Sequence, residues 1–167
     1  RIWWGARGTA TPRVKKFLSE AKQGVVPATL WLHQDAGTNA EAKVEVRNLL
    51  SSDGAEVFMT PKPERLIKQV LSIASDPGDL ILDSFLGSAT TAATAHKMGR
   101  RYIGIEMGDH AKTHCVPRLK KVVEGEQSGI SESVNWKGGG GFRFCTLGQT
   151  AFDADGRINP EVRFNTL

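Results

Sequence analysis

The chain reads as an α/β protein with a parallel sheet flanked by helices, and three observations predict this. Leu66, Ile67, Val70, Leu71 and Ala74 recur at helical spacing, and the turn signal Asp76-Pro77-Gly78 and the apolar strand Leu80-Ile81-Leu82-Asp83 follow them. A glycine-bearing loop, Ser84-Phe85-Leu86-Gly87-Ser88, then opens an Ala/Thr-rich helix from Ala89 to Met98. A second strand, Tyr102-Ile103-Gly104-Ile105, ends on Glu106. Helix, strand, loop, helix, strand is one unit of a parallel sheet, and ligands of such sheets sit at the strand carboxyl ends. A right-handed crossover puts the loop after Asp83 beside the tip of the next strand, close to Glu106.

The remaining elements are placed by local signals. Ile2-Trp3-Trp4 is short and β-prone and is ended by Gly5 and Gly8. Pro12 opens a helix over Arg13–Lys22, and a second helix spans Asn39–Leu50 with Ala42, Val46, Leu49 and Leu50 on one face. Pro63 suits the first turn of the helix that runs to Ala74. Gly99 is the C′ residue of the Ala/Thr-rich helix, with His96, Lys97, Arg100 and Arg101 around its negative end. Asp109 offers an N-cap for a helix toward Val123, which Pro117 kinks or delays. In the last third, Gly138–Gly141 reads as a flexible loop, Phe142–Leu147 alternates like a strand, and Asp153–Gly156 is a turn.

Composition bounds the function. The 167 residues suit one domain, and 40% apolar with 24% charged residues excludes compositional disorder. No apolar run approaches the roughly 18 residues of a membrane span, and no secretory signal opens the chain. Two cysteines, Cys115 and Cys145, do not make a disulfide framework, and a reduced cytoplasmic setting is expected. His110 and His114 lack a third ligand nearby, so no metal site is assigned. The net charge of +4 is concentrated before residue 126, where a polyanionic partner belongs.

The loop chemistry is read from what it lacks. It has neither G-x-G-x-x-G nor G-x-x-x-x-G-K-[ST], so a pyrophosphate or triphosphate cradle is not supported. Asp83 at the strand tip repels phosphate and can hold an ammonium group. Ser88 and the backbone N–H groups from Ala89 to Thr91 suit a carboxylate. Glu106 follows Asp83 by 23 residues, close to the ~20 over which a carboxylate reaches ribose hydroxyls. A ligand with an amino-acid end and a ribose is therefore favoured, and S-adenosylmethionine has both.

The block from Asp83 to Thr91, with Thr60-Pro61-Lys62-Pro63 before it and Tyr102 to Glu106 after it, resembles the cofactor half of an amino-group DNA methyltransferase. Within that superfamily it is similar to the adenine-N6-specific modification subunits of type III restriction-modification systems, of the beta group. Ile2-Trp3-Trp4-Gly5, the segment from Pro12 to Leu18, and Gly141-Phe142-Arg143-Phe144 look like flanks of the same family.

The resemblance implies the C-terminal portion of a Rossmann-like methyltransferase fold. Residues 1–57 would follow the target-recognition region, 58–125 would form the S-adenosylmethionine-binding unit, and 126–167 would be a C-terminal extension. Asp83, Phe85, Gly87, Ser88, Ala89, Thr90 and Thr91 would cradle the cofactor, and Glu106 would hold its ribose. Thr60, Lys62 and Pro63 would close over its methionine end. Such families usually carry glycine where Ala89 stands, and a methyl facing the ligand is expected to weaken affinity modestly.

Double-stranded DNA, a second copy of the chain and a restriction subunit are the implied partners. Exocyclic-amine methylation needs a short Asp/Asn/Ser-Pro-Pro-aromatic segment, and the 167 residues contain none. The resemblance places that segment before Arg1, so the isolated chain is expected to be inactive and to hold no catalytic residue. Two other readings stand beside this one: half of an NAD-type oxidoreductase, or a non-catalytic dimerisation module built on Trp3, Trp4 and Phe142–Leu147.

Overall fold

A computed structural model describes residues 2–14, 17, 19, 24, 26–50, 58–152 and 154–160. The chain divides into two compact units, Arg1–Trp31 and Leu32–Leu167. Sequence punctuation places the first boundary at residue 57 instead. Residues 32–50 belong with the second unit because their helices pack against others of that unit.

In the first unit, β1 (Ile2–Trp3) pairs antiparallel with β2 (Arg13–Val14), Ile2 opposite Val14 and Trp3 opposite Arg13. The helix expected from Arg13 is thus corrected at its start, where pairing with Ile2-Trp3 takes the backbone into an extended form. Lys15, Lys16, Leu18 and residues 20–22 of that expected helix lie outside the described residues.

The second unit opens with α1 (His33–Ala36) and α2 (Asn39–Leu50). Thr38 Oγ1 accepts the Glu41 amide at 3.1 Å and Glu41 Oε2 accepts the Thr38 amide at 3.0 Å, a reciprocal capping box that starts α2. Ala42, Val46, Leu49 and Leu50 are buried, as their spacing predicts. α3 (Glu64–Ala74) is capped by Pro63, whose carbonyl accepts the Leu66 amide at 3.1 Å. Then come β3 (Leu80–Asp83), α4 (Thr90–Lys97) and β4 (Arg101–Gly104), and the two strands pair in parallel with Leu80 opposite Arg101 and Asp83 opposite Gly104.

α4 ends as its sequence predicts. Gly99 takes φ +71°, its amide donates to His96 O at 3.0 Å, and the Arg100 amide donates to Ala95 O at 2.8 Å, which is a Schellman closure. A π-helical turn over Ala111–Cys115 leads into α5 (Val116–Val123), with Pro117 in its first turn, where no amide is needed. Asp109 contributes its backbone carbonyl, which accepts the Lys112 amide at 2.9 Å. A 3₁₀ turn over Glu132–Val134 follows.

Two expectations about the last third are corrected. Gly138–Gly141 is not a free loop: the Gly139 amide donates to Val123 O at 2.8 Å and Gly139 O lies 2.9 Å from His96 Nε2. Phe142–Leu147 forms no strand, because the only part of it that packs inward is Phe142, against Ala89, Ala92, Cys115 and Leu119.

α4 packs against α3, α5 and one face of the β3/β4 pair. The alternate residues of the other face, Leu80, Leu82, Ile103 and Ile105, are exposed, with Leu82 at 65%. A parallel sheet ordinarily has both faces covered, and among the described residues this one has a single covered face.

A buried ionic cluster joins the helices. Glu64 is 1% exposed and carries both partners on one carboxylate: Lys97 Nζ donates to Oε2 at 2.8 Å and Arg118 Nη2 to Oε1 at 2.9 Å. The Ile130 amide adds a bond to Oε2 at 3.1 Å. Gly129, φ +57°, leaves room for this approach, since a Cβ there would stand 2.2 Å from Oε2. Lys97 also pairs with Glu126 and donates to Ser128 O at 3.2 Å. Lys97 is buried at the α4 terminus, where it balances Glu64.

Burial pushes the Glu64 carboxyl up, but Arg118 and Lys97 outweigh it and hold the group below the ordinary carboxylate range. Its stabilisation is therefore present above the unfolded carboxylate pKa and is lost as pH falls through the folded value. Glu64→Gln should cost about 3–5 kcal/mol in urea denaturation at neutral pH, because two buried cations lose a counter-charge. The same variant should show a flatter decline of stability with acid than the parent.

Candidate functional site

The site is assembled at the carboxyl ends of β3 and β4. Beyond the paired residues the parallel pattern continues: the Ile105 amide donates to Asp83 O at 2.9 Å and the Leu86 amide to Ile105 O at 3.0 Å. These bonds bring the tip of one strand and the loop after the other together, as the crossover geometry predicts. Asp83 Oδ1 accepts the Phe85 amide at 3.0 Å and shapes the turn that leaves β3. Phe85 stands 90% exposed at the tip, beside no described cover, and Met107 is fully exposed at the equivalent tip of β4.

Glu106 reaches back to the loop. Its Oε2 accepts the Gly87 amide at 2.8 Å, and its Oε1 accepts the Gly108 amide at 3.0 Å and lies 3.0 Å from His110 Nε2. The Gly108 amide, against a smaller opposing effect of burial, and then Gly87 and His110 hold the Glu106 carboxyl below the ordinary range. An ionised carboxylate only accepts hydrogen bonds, so His110 Nε2 carries the proton in this contact.

From below, Cys115 Sγ donates to Gly87 O at 3.0 Å and Arg118 Nη1 to Ser88 O at 3.1 Å. Burial, and then the Glu106 charge, push the Cys115 thiol up to about 12, so it acts as a neutral donor and not as a nucleophile. Ser88 and Thr90 are both buried. Their hydroxyls lie 3.2 Å apart, and Arg118 Nη1 donates to Thr90 Oγ1 at 3.0 Å. Thr91 is half-buried on the first turn of α4.

The segment before α3 is brought to the same loop through Phe58. Its ring meets His110 edge-on at 5.3 Å and His114 at 5.6 Å, and its Cζ lies 3.5 Å from where a Cβ on Gly87 would stand. Pro61 and Pro63 are buried, while Thr60 and Lys62 are exposed. Sequence reasoning missed Phe58, Gly108, His110 and Arg118. The one available signal was the i to i+4 spacing of Glu106 and His110.

Ala89 differs from its expected role. Its methyl is fully buried and packs in the core with Ala92, Cys115 and Leu119. What is unusual is its backbone: φ +62°, ψ 27°, a left-handed N-cap occupied by a residue with a Cβ.

A family model described as DNA methylase matches residues 7–116, two-thirds of the chain and all of this constellation except Arg118. The chain belongs to the DNA methylase family. Over 105 residues the chain is 55% identical to the probable type III restriction-modification enzyme HindVI Mod subunit of Haemophilus influenzae, covering 62% of the chain and 14% of that protein. Over 49 residues it is 51% identical to type II methyltransferase M1.MboII of Moraxella bovis, covering 29% of the chain and 19% of that protein. The matches thus span less than a fifth of the length of each of these two relatives. No solved structure matches the chain. The resemblance read from Asp83–Thr91 and its flanks is borne out at the level of the family.

In this chain, Ala89→Gly should change stability by no more than about 1 kcal/mol in urea denaturation, because relief of the left-handed strain offsets the lost methyl burial. Ala89→Val should lose about 2–4 kcal/mol by the same measurement, since a β-branched residue is both strained there and too large for the packed core.

Proposed function

We propose that the chain supplies the S-adenosylmethionine site of an adenine-N6 DNA methyltransferase of the type III modification kind, in a Rossmann-like fold whose sheet extends beyond β3 and β4. The observation that carries this is the pairing of two carboxylates, Asp83 and Glu106, at adjacent parallel strand tips around one glycine-bearing loop. A phosphate ligand is disfavoured between two acids. A ligand with an ammonium group and a ribose matches them.

Asp83 Oδ1 is engaged by the Phe85 amide, which orients Oδ2 for the ammonium group. Glu106 would hold the ribose, and exposed Phe85 would lie along the ligand. Thr60, Lys62 and Pro63 would close the methionine end. Ser88 and Thr90 would act indirectly, since their hydroxyls meet each other and Arg118 holds the Thr90 hydroxyl and the Ser88 carbonyl, which keeps the α4 entrance in place. When bound, the cofactor would supply an electrophilic sulfonium methyl group for transfer to an exocyclic amine of the target base. The chain's residues contribute position to that step.

Residues 58–125 would form the cofactor unit, 1–57 would follow the target-recognition region, and 126–167 would be its extension. The whole protein would act on double-stranded DNA in the cytoplasm, as a homodimer with a restriction subunit. Among the described residues no helix is long and apolar enough to cross a membrane. The 167 residues hold no Asp/Asn/Ser-Pro-Pro-aromatic segment, so this chain alone should bind the cofactor without methylating DNA. Family membership favours this reading over the dinucleotide oxidoreductase half.

Equilibrium titration of the chain with S-adenosylmethionine, S-adenosylhomocysteine and NAD tests the reading. Binding of the first two and not the third is expected, and Glu106→Ala should weaken it by about tenfold or more, the worth of a hydrogen bond to a charged group. Binding of NAD alone overturns it.

A further inference from the structure

Glu106 is already engaged on three of its four acceptor positions. A carboxylate offers about two lone pairs on each oxygen. On Oε1 both are taken, by the Gly108 amide at 3.0 Å and by His110 Nε2 at 3.0 Å. On Oε2 one is taken, by the Gly87 amide at 2.8 Å. A vicinal diol bound side-on needs one position on each oxygen, and only Oε2 has one to give.

The two backbone amides belong to the loops that form the site and cannot leave without dismantling it. His110 can leave: its ring is part-exposed and is held by Glu106, by an edge contact with Phe58 at 5.3 Å and by its place over Gly108. Gly108 is what admits the ring to this position, since a Cβ there would stand 2.3 Å from His110 Cε1 and 2.5 Å from Nδ1.

We propose that His110 occupies the position of one ribose hydroxyl on Glu106, so that a nucleoside ligand enters only by displacing the ring. His110 is then a specificity device. It keeps the carboxylate oriented when no ligand is present and yields to a ligand that presents two hydroxyls, whereas a ligand presenting one or none can leave the ring in place. This rests on the ribose role of Glu106 proposed above.

The test is calorimetric titration of the parent chain and His110→Ala with S-adenosylhomocysteine and with its 2′,3′-dideoxy analogue. The variant should bind the diol ligand about three- to tenfold more tightly, the worth of one net hydrogen bond no longer broken, and bind the dideoxy analogue as the parent does. Gly108→Ala is the second variant, because its methyl pushes the ring off Glu106 without removing it, and it should show the same selective gain. Thermal denaturation of both variants checks that they remain folded. Unchanged or weaker diol binding by the two folded variants, or an equal gain for both ligands, overturns the proposal while leaving the cofactor reading intact. Failure of the parent chain to bind S-adenosylhomocysteine overturns the cofactor reading, and the proposal with it.

Discussion

The structure depends on one buried carboxylate. Glu64 begins α3, receives Lys97 from the end of α4 and Arg118 from the middle of α5, and takes the amide of Ile130 from the segment beyond. Charges in such a place are costly to desolvate, and only near-complete pairing makes the arrangement tolerable. That requirement leaves the three helices little freedom. The cations take different oxygens of Glu64, so a shift of α3 along α4 or α5 breaks one of these bonds.

The cluster is also what shapes the candidate site from beneath. Arg118 spends one nitrogen on Glu64 and another on Ser88 O and Thr90 Oγ1, and so transmits the position of α3 to the entrance of α4. Cys115 holds the next carbonyl, Gly87 O, and Glu106 holds the Gly87 amide from the other strand. Every turn of the loop is thereby tied to a different element. A ligand at this loop meets a backbone that is already arranged, and a left-handed Ala89 is sustained by the packing of its methyl in the core. The exposed side chains above the loop are Phe85 and, in part, His110.

Much of this was legible in the sequence where the signal is local. The apolar face of α2 and the Gly99 closure of α4 follow from periodicity and end chemistry, and the meeting of Glu106 with the Gly87 loop follows from the handedness of a parallel crossover. The misreadings share a cause. Arg13–Val14, Gly138–Gly141 and the methyl of Ala89 each take a conformation imposed by a partner remote in the chain, respectively Ile2-Trp3, His96 with Val123, and Cys115 with Leu119. Local propensity carries no information about such partners.

By itself, then, the sequence determined the α/β order, the loop that lacks a phosphate cradle, the two acids at the strand tips and the membership of the DNA methylase family. The tertiary structure decided which polar groups stand at the strand tips and which face the core. It set the Ser88 hydroxyl on Thr90 and Thr90 on Arg118, buried Lys97 on Glu64 and set His110 on Glu106. The reason is that a strand tip and a loop are ordered by backbone bonds between near neighbours, whereas the direction of a polar side chain is settled by where its counter-charge lies in space.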